Sequence, residues 1–265
     1  MTPEDPPVNF VSAAVPPEAV TPEQTAAPAP PPAPERDPFW GYGDLLCFLG
    51  LAIPSLLAGW GAGWLALAWL KLKVVSLAAE MIVLYACLFG SLRMMFRVLY
   101  DRPFWRSLGW KPVRLPVMWV MLCGMITAVL VAAASTLIHT PTGDNPMTQL
   151  METRADVLVM GVLGITLAPL CEELAFRGFL QPLLVRSLGA VPGIALAAAA
   201  FGLLHFQEYG NSWRHALIIA MAGAAFGWMR QATGSTKAAA IMHAAYNSLF
   251  FIALMTEKRI LPHLW

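Results

Sequence analysis

Leu167-Ala168-Pro169-Leu170-Cys171-Glu172-Glu173-Leu174-Ala175-Phe176-Arg177-Gly178 is the stretch on which the reading of this chain turns. It lies inside an apolar run from about Val157 to Leu188, long enough to cross a bilayer, which takes roughly 20 apolar residues. An ionised side chain at the centre of an inserted helix costs roughly 2.5–3.5 kcal/mol. Glu172, Glu173 and Arg177 together would cost on the order of 8 kcal/mol if they faced lipid. A chain that needed only an anchor would carry leucine there. The trio is therefore expected to face a protein-lined, water-accessible interior and to do chemistry in it. The alternative is a structural network that locks helices together.

Helical geometry separates the two carboxylates. Glu173 and Arg177 are an i,i+4 pair with the acid N-terminal, the favoured order for an ion pair on a helix. Glu172 is turned about 100° from Glu173, and its own i+4 neighbour is the uncharged Phe176. Glu173 is thus neutralised by Arg177, and Glu172 is left free to work. Pro169 removes an internal hydrogen bond and is expected to kink the helix just before Glu172.

The rest of the composition agrees with a membrane setting. The chain has 265 residues, of which 58% are hydrophobic and 12% charged, against about 25% charged in soluble domains. Mean hydropathy is +0.61. These values read as an integral multi-pass protein whose surroundings are the lipid bilayer, with a bacterial plasma membrane as the expected location. Net charge is +1, and no basic face of the kind nucleic acid requires is present. Cys47, Cys87, Cys123 and Cys171 sit singly in different apolar segments, without CxxC or Cys/His zinc spacing. Three of them read as small core residues. Cys171 touches the motif, but no neighbouring cation in sequence would turn it into a nucleophile.

Residues 1–38 hold 12 of the 22 prolines. Such a segment cannot bury enough apolar area to offset chain entropy and is expected to be a disordered tail. Residues 39–114 are expected to hold two spans, about Leu45–Leu70 and Val74–Phe96, and a basic connection. Phe39-Trp40-Gly41-Tyr42 reads as an interfacial aromatic belt, and Glu80 as a carboxylate near a membrane surface. Arg93, Arg97, Arg102, Arg106, Lys111 and Arg114 are six of the 17 basic residues, opposed only by Asp101. This excess marks the connection as cytoplasmic. Residues 115–265 then form the candidate functional bundle. Its apolar segments are about Leu115–Ile138, Val157–Leu188, Ile194–Phe206, His215–Arg230 and Lys237–Met255. The fold expected is all-α, a polytopic transmembrane bundle of about seven hydrophobic helices.

Two of these helices carry isolated polar pairs. Phe201 and His205 are one turn apart in the fifth, and His243 and Asn247 one turn apart in the last. A single histidine in an apolar helix is commonly a satisfied core residue. Two of them on separate helices, with a glutamate pair on a third, point to a shared site. Straight spanning helices would leave His205 and His243 at different depths. Their convergence requires the Phe206–Trp213 segment, or the short helix after it, to enter a protein-lined cavity, where irregular backbone is tolerated.

The order Glu172-Glu173-x-x-x-Arg177, Phe201-x-x-x-His205, His243-x-x-x-Asn247 resembles the CPBP intramembrane proteases. That family includes CAAX-type prenyl endopeptidases and bacteriocin-processing or abortive-infection proteins. The resemblance spans about Leu115–Met255, roughly half the chain. It implies hydrolysis of a peptide bond within the membrane by a Glu-assisted water, on a peptide or protein substrate that carries, in CAAX-type processing, a prenyl group. Glu172 would be the general base and His205 would hold the water. His243 and Asn247 would donate to the oxyanion, while Glu173, Arg177 and Phe201 support the site. The family's metalloprotease label makes zinc a candidate cofactor, with Glu172, His205 and His243 as ligands, although His-Glu-x-x-His spacing is absent. A non-catalytic immunity or scaffold protein that binds a peptide or partner helix is the competing reading. A proton-coupled transporter is a third, weakened by the lack of an internal repeat.

Overall fold

The computed structural model describes residues 37–141, 146, 148–151 and 153–256, and no strand occurs among them. The proline-rich tail expected at the N-terminus lies outside these residues except for Asp37 and Pro38. Helices α1 (Tyr42–Leu70) and α2 (Lys73–Tyr100) form an antiparallel hairpin. Small residues set how closely they approach. A Cβ at Gly59 would lie 2.8 Å from the Glu80 carbonyl oxygen, and one at Gly63 would lie 3.1 Å from that of Ser76. The Ser76 hydroxyl donates to the Gly63 carbonyl at 2.8 Å. Glu80 sits in this seam, where a Cβ at Gly63 would be 3.3 Å from its Oε2. The opposite face of α1 presents exposed Leu49, Ile53, Leu57, Trp60 and Trp64, as a helix in lipid does.

A short helix α3 (Phe104–Ser107) lies in the basic connection, and α4 (Val117–Leu137) follows. The motif-bearing rod is built from α5 (Arg154–Ile165), α6 (Leu167–Glu173), a π-helical segment (Leu174–Leu180) and α7 (Gln181–Leu188). Thr153 caps it: its hydroxyl accepts from the Asp156 amide, while Asp156 accepts from the Thr153 amide at 2.8 Å. The rod breaks at Thr166, one turn earlier than the kink expected just before Glu172. Proline removes the bond to the carbonyl four residues back and its ring clashes there. For Pro169 that carbonyl belongs to Ile165, so the disturbance falls at 165–166.

Helices α8 (Ala190–Leu204), α9 (Trp213–Thr233) and α10 (Thr236–Thr256) complete the fold. All seven expected apolar segments are helical. Five units are long and apolar enough to cross a membrane: α1, α2, α4, the 154–188 rod and α10. Helix α8, with 15 residues, is about 22 Å long at 1.5 Å per residue. That is shorter than the roughly 30 Å hydrocarbon core. Helix α9 carries Arg214 and His215 near its start and Arg230 near its end. It is not among the five.

One end of the bundle is knitted around the basic connection. The Thr236 amide donates to the Gly109 carbonyl at 2.9 Å, and its hydroxyl donates to that of Leu108 at 2.6 Å. The Ser235 hydroxyl donates to the Lys111 carbonyl at 2.8 Å. Gly109 sits at φ +70°, where a side chain would be strained. The aromatic belt expected at Phe39–Tyr42 is corrected in one member. Trp40 is 2% exposed, stacks on Phe96 and Phe179, and donates its indole N–H to the Phe179 carbonyl at 3.1 Å. Inside this aromatic core its ring finds partners on two helices and its N–H finds an acceptor. At an interface the N–H would face water. Tyr42 is exposed, as a belt residue should be.

Candidate active site

The three sequence pairs converge on one cavity of about 730 Å³. Glu172 enters it from α6, Phe201 and His205 from the end of α8, and His243 and Asn247 from α10. The depth mismatch between the histidines resolves as the sequence required. Helix α8 stops short, His205 caps it, and Glu208 and Tyr209 of the following connection line the same cavity.

Below the cavity lies a buried ion pair. Glu173 and Arg177 are 0% and 1% exposed, and Arg177 Nη1 donates to Glu173 Oε1 at 2.9 Å. Arg177 Nη2 donates to the Gly223 carbonyl at 2.8 Å, and the guanidinium lies 4.5 Å from the centre of the Phe201 ring. Gly223 is the position that admits it, since a Cβ there would stand 3.0 Å from both Arg177 Nη2 and Phe201 Cδ1. Glu173 also accepts from His243, whose Nδ1 lies 3.0 Å from the same Oε1. One buried carboxylate oxygen thus serves a guanidinium and an imidazole.

These contacts determine which imidazole nitrogens carry hydrogen. His205 Nδ1 is 2.8 Å from the Phe201 carbonyl, which can only accept, so Nδ1 bears the proton. His243 Nδ1 faces an arginine-paired carboxylate and is the donor for the same reason. Each neutral ring is left with an unprotonated Nε2, and both Nε2 atoms face Glu172. The separations are 4.0 Å from His205 Nε2 to Glu172 Oε1 and 3.8 Å from His243 Nε2 to Glu172 Oε2. Both exceed a direct hydrogen bond, which spans about 2.7–3.2 Å, and both suit a bridging water. The Glu172 side chain is 16% exposed, so water can reach it.

Asn247 lines the cavity, but its amide nitrogen donates to the Gly164 carbonyl on α5 at 2.7 Å. One of its two amide hydrogens is therefore used to tie α10 to the rod, and the other remains. Phe201 contacts the site through its ring, with centroids 4.7 Å from His205 and 5.8 Å from His243. Cys171 is buried, and among the described residues no ion pair or hydrogen bond ties it to a cation.

Zinc at about 2.0–2.2 Å from its ligands holds tetrahedral ligand atoms roughly 3.4 Å apart. Glu172 stands 3.8 and 4.0 Å from the two Nε2 atoms. Among the described residues no group of three His, Cys, Asp or Glu is placed to hold a metal ion. As arranged, the donor set does not fit zinc.

Several wall residues were not singled out in the sequence. Phe226 stacks on His243 with centroids 4.4 Å apart and planes at 21°. Tyr246 packs edge-on to Phe226. Tyr85 and its neighbours Leu77, Met81 and Leu84 bring α2 into the wall, although the sequence assigned that helix to a separate region. Tyr246, next to Asn247, was the one member within reach of a local signal.

A family model described as Rce1-like, type II CAAX prenyl endopeptidase Rce1-like, matches residues 154–249. The matched segment runs from the start of α5 into α10 and contains all three polar pairs. No curated protein and no solved structure matches the chain.

Proposed function

We propose that this integral membrane protein, whose residues 154–249 match the Rce1-like family model, is an intramembrane endopeptidase acting on protein or peptide at the membrane. The observation that carries the proposal is the Glu172 carboxylate held opposite two Nε2 lone pairs across gaps of 3.8 and 4.0 Å, within a cavity of about 730 Å³. A water in that gap donates one hydrogen to Glu172 and the other to His205 Nε2. Glu172 removes a proton as the oxygen attacks the scissile carbonyl, then returns it to the leaving amine, so the base is regenerated.

The supporting roles follow from the hydrogen bonds. Glu173 fixes the ring and tautomer of His243, and Arg177 donates to the same carboxylate oxygen and holds it in place. The His243 Nδ1 hydrogen is spent on Glu173, so the neutral ring has none left for an oxyanion. The remaining amide hydrogen of Asn247 takes that role, a contribution of roughly 3–4 kcal/mol for such a donor in other hydrolases. The working unit in this reading is the 115–256 bundle together with α2, which lines the cavity.

Incubating purified protein with a peptide library and mapping products by mass spectrometry tests the reading. Cleavage by the parent chain and its loss in Glu172→Gln are expected. A folded parent that cuts nothing, or a Glu172→Gln variant that cuts as the parent does, would overturn it in favour of a peptide-binding role.

A further inference from the structure

The two ends of the bundle differ in charge and in how they are closed. The basic connection Arg93–Arg114 joins the start of α10 through the bonds from Ser235 and Thr236. The end of α7 and the residues before α1 belong to the same end, where Arg186 bonds the Pro38 carbonyl. Among the described residues nine basic ones stand at this end: the six of Arg93–Arg114, with Arg186, Arg230 and Lys237. The other end gathers the α1–α2 turn, the end of α4, the starts of α5 and α9, and the end of α10. Arg214 at the start of α9 bonds the His139 carbonyl after α4 at 2.7 Å. Val157 in α5 packs with Leu254 and Met255 of α10. Among the described residues only Lys71, Lys73, Arg154 and Arg214 are basic there. Nine against four in the helix ends and short connections assigns the first end to the cytoplasm.

The cavity lies toward the other end of the bundle. In each long helix the lining residues fall toward the end remote from the basic connection. In α2 they run from Leu77 to Tyr85, in the first half; in α4 from Val131 to Ser135, in the last third. In the rod they run from Met160 to Glu172, and in α8 they are Phe201 and the capping His205. Pro146, Leu150 and Met151, in the connection between α4 and α5, line the cavity as well. On the basic side the way is shut. Trp40, Phe96, Leu108, Phe179 and Leu183 form a buried cluster, and the Glu173–Arg177 pair and the bond from Gln181 to the Gly227 carbonyl lie between.

We infer that the cavity opens to the non-cytoplasmic side of the membrane, and that its substrate is an apolar, membrane-anchored peptide segment emerging on that side. This identification of the substrate rests on the endopeptidase reading; the side of access does not. The wall supports an apolar occupant, since Leu77, Met81, Leu84, Met160 and Leu163 form much of it. A prenylated C-terminal tail presented from the cytoplasm would meet the closed end.

The test begins with access and needs no activity. Single cysteines at Ser135 on the cavity wall, Leu150 beside it, Leu72 in the α1–α2 turn and Lys111 in the basic connection are labelled in whole cells with a membrane-impermeant maleimide. The parent chain gives the background. Ser135→Cys, Leu150→Cys and Leu72→Cys should label without permeabilisation, and Lys111→Cys only after it. Leu72→Cys lies at an exposed turn and reports orientation even if a cavity variant folds poorly. The reverse pattern, or labelling of Ser135→Cys and Leu150→Cys only after permeabilisation, overturns the inference. Two single-span reporters then address the substrate, one carrying the cleavable stretch outside and the other carrying it as a prenylated cytoplasmic C-a-a-X tail. Glu172-dependent cutting of the first alone supports the inference, and cutting of the second overturns it. If labelling is as expected and neither reporter is cut, the endopeptidase reading fails and the assigned side of access stands.

Discussion

Replacing Glu173 by glutamine separates the two carboxylates most sharply. The substitution keeps the size of the side chain and removes its charge, leaving Arg177 cationic in a site where it is 1% exposed. Of the contacts that offset this burial, the Gly223 carbonyl and the Phe201 ring remain, and the ionic one is lost. Breaking a buried pair by removing one partner costs roughly 3–5 kcal/mol. At about 1.36 kcal/mol per tenfold, that shifts the folding equilibrium by roughly two to four orders of magnitude. The bond from His243 Nδ1 would pass from a carboxylate to the single neutral amide oxygen of the glutamine, which Arg177 also contacts. Glu172→Gln is the matched control. Glu172 is 16% exposed and stands 3.8 Å or more from both histidines, so this change should cost less than about 1 kcal/mol. The assay is the monodisperse fraction and thermal unfolding midpoint in one detergent, with cleavage measured on whatever folds. Glu173→Gln should fold poorly, and Glu172→Gln should fold normally and be inactive. A normally folded, inactive Glu173→Gln beside an active Glu172→Gln would refute the assignment and exchange the two roles.

Three further outcomes follow from the same geometry. Asn247→Ala should lower turnover by about two orders of magnitude. It should cost only about 1 kcal/mol of stability, from the lost bond to Gly164; unchanged turnover at equal folding would remove Asn247 from catalysis. Gly223→Ala should destabilise by about 1–3 kcal/mol, because the new methyl meets Arg177 and Phe201 at 3.0 Å. An unfolding midpoint equal to that of the parent would count against the packing described. Activity should survive exhaustive chelation, since Glu172 and the two histidines are spread too widely for zinc. Loss on chelation with recovery on adding zinc, together with stoichiometric zinc by elemental analysis, would make the histidines ligands.

What could be read in the sequence was local. A carboxylate and an arginine four residues apart in an apolar run announce their pairing, and the structure has them at 2.9 Å. The pairs Phe201/His205 and His243/Asn247 stand out because little else nearby is polar. Contacts that join distant segments left no such mark. Trp40 reaches Phe179 across 139 positions, and no local spacing distinguishes it from a belt tryptophan. Tyr85 enters the cavity because α2 packs beside the rod, which depends on how the hairpin sits rather than on its own neighbours. How many of the seven apolar helices cross the membrane was not legible either, for a different reason. Hydropathy finds apolar helices, but α8 is apolar and too short to cross.

The π-helical segment has a consequence for how this chain can change in length. Gln181 closes it by donating to the Phe176 carbonyl, five residues back. A single deletion within Leu174–Leu180 would let the ladder close four residues back and run on as ordinary α-helix. A π turn holds about one residue more than an α turn, so removing that residue would leave the chain beyond it nearly in phase with Glu172 and Glu173, whereas a deletion in the flanking α-helix would turn it by about 100°. With the π residue removed, Gln181 would still face Gly227, and the acceptor of the Trp40 indole would stay close to its place. The segment therefore works as a slack turn: a residue can be dropped there with the lower half of the rod kept in phase with the upper, and the cost falls on the side chains packed along the turn itself.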